Sequence, residues 1–233
     1  MRILAQFPTL GRPEQFLTCL TKYVTKMSGN HHVFFNINCD ADDPTMKHEQ
    51  LQHKIRMLCG SQNCDINFQH NSTKISAINS YIDGKAFDIV ICISDDMNPM
   101  VEEWDNVICA DMAKNFPQLD GALNYNDGRA REELITFSIL GRRLYEHFGY
   151  IYHPDYKVLY CDNEFTEEVQ RMGKVVYIDH VVFQHDHYAE EGNINSGKTD
   201  HATAKTLRSS GRDAQVYQQR KMLGYPKERV TND

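Results

Sequence analysis

Apolar positions in the first hundred residues follow two periods in turn. Arg2 to Phe7 is an apolar run of strand length, and Val33 to Ile37, Ile66 to Phe68 and Asp88 to Ser94 repeat it. Between them, Pro13 to Met27, Met46 to Leu58 and Ser72 to Ile82 carry helical spacing. In the first of these, Phe16, Leu20, Tyr23, Val24 and Met27 fall on one face, and proline sits in the opening turn. The alternation predicts an α/β fold, with an open, mixed and mostly parallel sheet flanked by helices in a single domain. Ile89 to Ile93 has the β-branched content of a buried strand and stops abruptly on Ser94, Asp95 and Asp96.

The second half is less regular. Its pattern predicts a helix over Pro99 to Asn115 containing Trp104, then a strand over Gly121 to Tyr125 leading into the turn Asn126-Asp127-Gly128. A further strand over Leu134 to Ser138 and a short helix over Leu140 to Phe148, stopped by Gly149, follow. Asp162-Asn163-Glu164-Phe165 opens a helix to about Met172, and Val175 to Gln184 reads as a strand leading to His185-Asp186-His187. Glu190 to His201 reads as a mobile loop, and Ala202 to Met222 as a helix interrupted near Gly211.

Bulk properties narrow the function. A chain of 233 residues supports one domain with a sizeable core. The net charge of −7 argues against a general nucleic-acid or anionic-membrane surface. No apolar run approaches a membrane span, and Pro8 interrupts the N-terminus too soon for a signal peptide. The seven cysteines form no Cys-x-x-Cys pair and several lie in apolar runs, the pattern of reduced, buried thiols in the cytoplasm. The sequon Asn71-Ser72-Thr73 then carries no glycosylation meaning.

Candidate chemistry gathers at the strand ends: Thr9 and Arg12, Asp40 to Asp43, and Asp95 with Asp96. Ligands of open parallel sheets bind at those carboxyl ends. Two adjacent carboxylates there repel each other unless a cation sits between them and a phosphate; otherwise they form a solvated turn capping the next helix. His185 and His187 share one side of a strand, which suits a metal or two solvent-facing imidazoles. Asp162 and Glu164 flank a helix start, where capping and general-base roles are both open. Gly192 to Thr199 fits the phosphate-loop pattern G-x-x-x-x-G-K-[ST], but a polar run separates it from the preceding strand and no apolar helical turn follows. A loop closing over a ligand is the better reading.

Taken together, these pieces resemble nucleotide-sugar glycosyltransferases of the GT-A fold, of the inverting, family-two type. Phe7 to Pro13 is similar to that family's loop after strand one, and Asp40 to Asp43 to its acidic cluster after strand two. Lys74, Ala77 and Asn79 match its K-x-x-A-x-N helix, and Ser94-Asp95-Asp96-Met97 its metal-binding D-x-D equivalent. Cys161 to Phe165 resembles its E-D-x-E-[LF] segment, with Cys161 standing where the family has glutamate. The likeness covers residues 2–190.

The resemblance implies a metal-dependent transferase moving a sugar from a nucleoside-diphosphate sugar to a hydroxyl on a glycan, lipid-linked or protein-linked acceptor, with Mn²⁺ or Mg²⁺ as Lewis acid. It implies Asp162 as base, with Glu164 beside it; Asp96, His185 and His187 as metal ligands; and Pro8, Thr9, Arg12, Asp40, Lys74 and Asp95 around the nucleotide. Trp104, Asn126 and Asp127 are the candidate sugar or acceptor contacts. Residues 1–98 form the nucleotide half, 99–190 the acceptor half, and 191–233 a loop and C-terminal helical elaboration. A homo-oligomer is compatible with this reading. A metal-dependent nucleotidyltransferase or hydrolase, or a non-catalytic nucleotide- or sugar-binding module, uses the same features and stays open.

Overall fold

The apolar runs at the N-terminus become neighbouring strands. In the computed structural model, which describes residues 1–70, 73–186 and 201–230 (backbone alone for 201–208), β1 (Arg2–Thr9) pairs in parallel with β2 (His32–Asp40), and β2 with β3 (Cys64–Gln69). On its other side β1 pairs in parallel with β4 (Ile89–Cys92). Helices α1 (Pro13–Thr25), α2 (Glu49–Cys59) and α3 (Lys74–Asn79) make the crossovers. The seven-stranded order is β3-β2-β1-β4-β7-β6-β8, with β6 (Ala122–Tyr125), β7 (Ile139–Gly141) and β8 (Val175–Ile178) completing it. β7 runs antiparallel to both neighbours, so β6 and β8 point the same way as β1 to β4. The expected open, mostly parallel sheet is the one observed.

Both faces of this sheet are buried, as helices on either side require. Ile3, Ala5 and Phe7 of β1 pack into one core with α1 and α2, while Leu4 packs into the other with Val90 and Leu140. On that second face Gln6 is buried too, its Oε1 accepting from Asn36 Nδ2 (3.1 Å) and Asn38 Nδ2 (2.8 Å). Asn38 Nδ2 also donates to the Ala77 carbonyl at 2.9 Å, so the amides tie α3 to the sheet. Burying such groups without partners costs roughly 1–3 kcal/mol each, and here they are paired.

The later half departs from the periodicity in four places. Met97–Pro99 is a strand, β5, paired antiparallel with β9 (Phe183–His185) in a small second sheet, and α4 spans Trp104–Asn115 only. The ladder to β9 holds Met97 to Pro99 extended, and the helix begins only after Glu103, at φ +55°. Leu134 to Ser138 is not a strand, although Ile135 and Phe137 are buried in alternation; the Ile135 N–H goes to Thr166 Oγ1 (3.0 Å) rather than to a ladder. The strand is Ile139–Gly141, and α5 is Arg142–Phe148. Leu140, Leu144 and Phe148 share helical spacing, which masks the strand. Gly141 is needed there, because a Cβ would lie 2.4 Å from the Leu119 carbonyl oxygen.

The run Val175 to Gln184 divides into β8 and β9, with close backbone turns at His180 and Val182 between them. Finally, α7 runs unbroken over His201–Met222 through Gly211. A mid-helix glycine costs about 1 kcal/mol. Tertiary anchors offset it: the buried Asp213 carboxylate accepts N–H bonds from Lys157, Val158 and Leu159 (2.8–3.2 Å). Cys161–Arg171 forms α6, packed beneath α7 with Tyr160 stacked on Tyr217 at 5.6 Å. No helix among the described residues is long and apolar enough to cross a membrane.

Candidate active site

Because β1, β2, β4 and β6 are co-directional, their carboxyl ends open on one edge. Thr9 ends β1, Asp40 ends β2, and the turn Ser94 to Asp96 follows β4. Thr9 is buried, and its Oγ1 has no hydrogen-bond partner among the described residues. Arg12 Nη1 reaches Asp95 Oδ1 at 3.4 Å. The Gly11 N–H donates to Asp43 Oδ2 (2.7 Å), and Asp43 also accepts from Thr45 N–H and Oγ1. Asp43 is therefore a brace between two loops, while Asp40 stays half-buried at its strand end.

The two adjacent carboxylates are treated differently by their surroundings. Burial pushes Asp95 up to about 6, with Asp96 adding to the rise and Arg12 opposing it. For Asp96 burial also acts upward. Hydrogen bonding with His185, the Lys74 ammonium and the Ser94 hydroxyl outweigh it and hold the carboxyl well below the ordinary range. β9 delivers His185, whose Nε2 lies 3.6 Å from Asp96 Oδ2. The hairpin-like β5–β9 pairing sets this contact, and the Asp186 N–H donates to the Asp96 carbonyl at 2.8 Å.

Lys74 opens α3, after the Thr73 cap whose hydroxyl accepts from the Ser76 N–H. Its side chain is exposed. Desolvation lowers its pKa, but Asp96, then Cys92, Cys161 and Asp162, more than reverse this and raise it. Asn79, at the other end of α3, binds the backbone of the neighbouring wall: its Oδ1 accepts from Ile151 and Tyr152, and its Nδ2 donates to the Tyr152 carbonyl (2.6 Å). The motif residue Asn79 is thus structural.

Asp162 lies within electrostatic reach of Lys74 and His185. Burial raises its carboxyl above the ordinary range, while the Asn163 N–H, Lys74 and His185 pull the other way. It is not the helix cap; that position is Tyr160, at φ +63°, with no side-chain cap bond. Glu164 is a correction to the sequence reading. It is fully buried and receives Arg220 Nε (2.8 Å) and Nη2 (2.8 Å) together with the Tyr156 hydroxyl (2.7 Å). Arg220 Nη1 also reaches Asp155 Oδ2 at 3.2 Å. Glu164 therefore ties α6 to α7. A step of two residues, roughly 200° around the helix, separates the half-buried Asp162 from the buried Glu164.

Two further expectations are corrected. Trp104 is wholly buried, donating from Nε1 to the Tyr23 carbonyl (2.9 Å) and packing edge-on against Tyr23, so it meets no sugar. Asp127 is buried, with one oxygen accepting from the Arg129 and Ala130 N–H groups and the other from Thr136 Oγ1. Its carboxylate shapes its own loop, and its carbonyl meets the His185 N–H at 3.4 Å. Asn126 is half-buried beside it, bonded to Asp179 and Gly128. His187 and the Gly192 to Thr199 segment lie outside the described residues.

A divalent cation fits Asp96 and His185. Donors about 2.1 Å from one ion stand about 3 Å apart when adjacent and about 4.2 Å apart when opposed. The 3.6 Å between Asp96 Oδ2 and His185 Nε2 falls inside that range. Among the described residues no third His, Cys, Asp or Glu completes a cluster. The remaining positions suit water and phosphate oxygens, which is how Mg²⁺-type sites are usually filled.

No family model matches the sequence, and no curated protein matches it. Solved structures do match. GalNAc-T7, solved with UDP, GalNAc and Mn²⁺, superposes at TM-score 0.64 with 9% identity over 99% of this chain and 52% of that one. This is the GT-A fold. S. aureus TarS 1–349 in complex with UDP-GlcNAc gives TM-score 0.61 and 14% identity, covering 86% of this chain and 62% of that one. The mannosyltransferase PcManGT from Pyrobaculum calidifontis, with GDP-Man and Mn²⁺, gives 0.58 and 12%, covering 90% and 68%. The chain spans 41% of a longer TarS chain.

Proposed function

We propose that the chain is a metal-dependent inverting glycosyltransferase that uses a nucleoside-diphosphate sugar. The observation that carries this reading is the contact of His185 with Asp96 at the carboxyl edge of a GT-A sheet, with Lys74 and Asp162 within electrostatic reach of the pair. The structural neighbours bound to UDP-GlcNAc, UDP and GDP-Man support the donor class. Those solved with Mn²⁺ support the cation.

Asp96 and His185 hold the cation, with His187 as a candidate third ligand. When bound, Mn²⁺ or Mg²⁺ supplies Lewis-acid stabilisation of the departing diphosphate. Lys74 adds a fixed positive charge at the same end. Pro8, Thr9, Arg12 and Asp40 line the nucleoside, and Asp95 faces the ribose. Asp162 sits on a different segment, where it accepts the proton of the acceptor hydroxyl as that oxygen attacks the anomeric carbon. A raised carboxyl pKa makes it a better base at neutral pH. A single displacement inverts the configuration. Residues 1–98 serve the nucleotide, residues 99–190 the acceptor, and Asn126 is the candidate acceptor contact. The seven thiols, all free and buried, support a cytoplasmic setting.

The test is nucleoside-diphosphate release from a panel of UDP-, GDP- and dTDP-sugars, with and without Mn²⁺, and with and without hydroxyl acceptors. Acceptor-dependent, Mn²⁺-dependent release is expected. Release unaffected by any acceptor marks a hydrolase. Pyrophosphate exchange marks a nucleotidyltransferase, and binding without turnover marks a non-catalytic module.

A further inference from the structure

One face of α1 meets the segment that carries the acid pair, residue by residue. Arg12, Gln15, Cys19, Lys22 and Lys26 recur at intervals of three and four, which places them on one stripe of the helix. Each donates to the chain running alongside. Arg12 reaches Asp95 Oδ1, and Gln15 Nε2 donates to the Asp95 carbonyl at 3.2 Å. The Cys19 thiol lies 3.5 Å from the Ser94 carbonyl and 3.2 Å from that of Met97, bracketing Asp95 and Asp96. Lys22 Nζ donates to Asn98 Oδ1 (2.9 Å), and Lys26 Nζ to the Met100 carbonyl (3.3 Å). Asn98 passes the contact on, donating from Nδ2 to Asp186 Oδ2 at 2.7 Å, next to His185. Burial, with Asp95 and Asp96 nearby, pushes the Cys19 thiol well up, so it stays protonated and able to donate.

The helix thus braces the chain beside both members of the Asp96–His185 pair: the Ser94, Asp95 and Met97 carbonyls that flank Asp96, through Cys19 and Gln15, and Asp186, the residue after His185, through Lys22 and Asn98. We propose that Cys19 and Asn98 are positioning residues that fix the spacing of Asp96 and His185 for a divalent cation. The inference rests on the metal-dependent reading above. It assigns to α1, which contributes no metal ligand, the geometry of the metal end of the cleft. Partners outside the ligand set typically govern metal affinity by tenfold to hundredfold.

The test is Mn²⁺ affinity by electron paramagnetic resonance of free Mn²⁺, using the full chain with UDP or GDP as co-ligand, alongside metal-free nucleotide affinity and melting temperature. Cys19→Ala and Asn98→Leu are each expected to weaken Mn²⁺ binding at least tenfold, with metal-free nucleotide affinity within twofold of wild type. Cys19→Ser, which restores a donor, is expected to recover most of the loss. A purely structural role would lower the melting temperature without this selective loss or its recovery by serine. Asn98 is half-buried near the surface, so Asn98→Leu keeps the test open if Cys19→Ala fails to fold. Unchanged Mn²⁺ affinity in folded Asn98→Leu overturns the inference. Absence of Mn²⁺ binding in the wild type overturns the functional reading itself, and this inference with it.

Discussion

Replacing Arg220 with methionine leaves the Glu164 and Asp155 carboxylates buried without their shared cation. It also strips donors from the Pro226 and Glu228 carbonyls, at 2.7 and 3.3 Å. Removing one partner of a buried pair typically costs about 3–5 kcal/mol, because a charge remains desolvated. For a chain of this length each kcal/mol moves the midpoint by roughly 2–4 °C, so Arg220→Met should lower Tm by about 6–20 °C. Glu164→Gln is milder, since Arg220 keeps Asp155 and Tyr156 keeps a partner; about 1.5–3 kcal/mol is expected. Arg220→Met combined with Glu164→Leu should recover part of the Arg220→Met loss, because no carboxylate at 164 is then stranded. Urea and thermal denaturation give these values, and turnover is measured on the folded fraction. If Glu164→Gln melts like wild type yet loses turnover a hundredfold, Glu164 is a reacting group and its assignment to the α6–α7 contact is wrong.

Three other perturbations probe separate features. Asp96→Asn should abolish the Mn²⁺ dependence of nucleotide binding, and unchanged metal affinity in a calorimetric titration would move the site elsewhere. Trp104→Ala should cost about 3–5 kcal/mol in stability while leaving KM for donor and acceptor alone in protein that stays folded; a rise in KM without loss of stability contradicts its core placement. Glu168, buried beside Glu164, is pushed up to about 7 by desolvation first and by Glu164 second. The folded chain then binds its proton more tightly than the unfolded chain, where glutamate titrates near about 4.3. Its contribution is therefore full below about pH 4 and lost as pH rises towards 7, on the order of 3 kcal/mol in all. Glu168→Gln should flatten that part of the stability–pH curve, and an unaltered curve refutes the assignment.

The first hundred residues were legible because their strands are parallel and buried on both faces, so each strand reads as an apolar run and each crossover as an amphipathic helix. Asp95 and Asp96 stood out for the same reason, as charge at the end of such a run. The second half was obscured by short elements: three-residue β5, β7 and β9 are defined by partners distant in sequence. Trp104 misled because indole suits both a sugar platform and a core, and burial decides between them. Glu164 misled because its partner Arg220 lies 56 residues away on α7. The stripe on α1 could have been seen as donors at intervals of three and four, but nothing local says what they face.

The most direct measurement of the central claim compares turnover and donor affinity in Asp162→Asn. The side chain stays nearly the same size, and the asparagine oxygen can keep the bond from the Asn163 N–H (3.0 Å), so stability and donor Kd should hold. Asparagine cannot take the acceptor proton, so kcat should fall by roughly 10²–10⁴. Transfer at the wild-type rate with donor affinity intact would contradict the account.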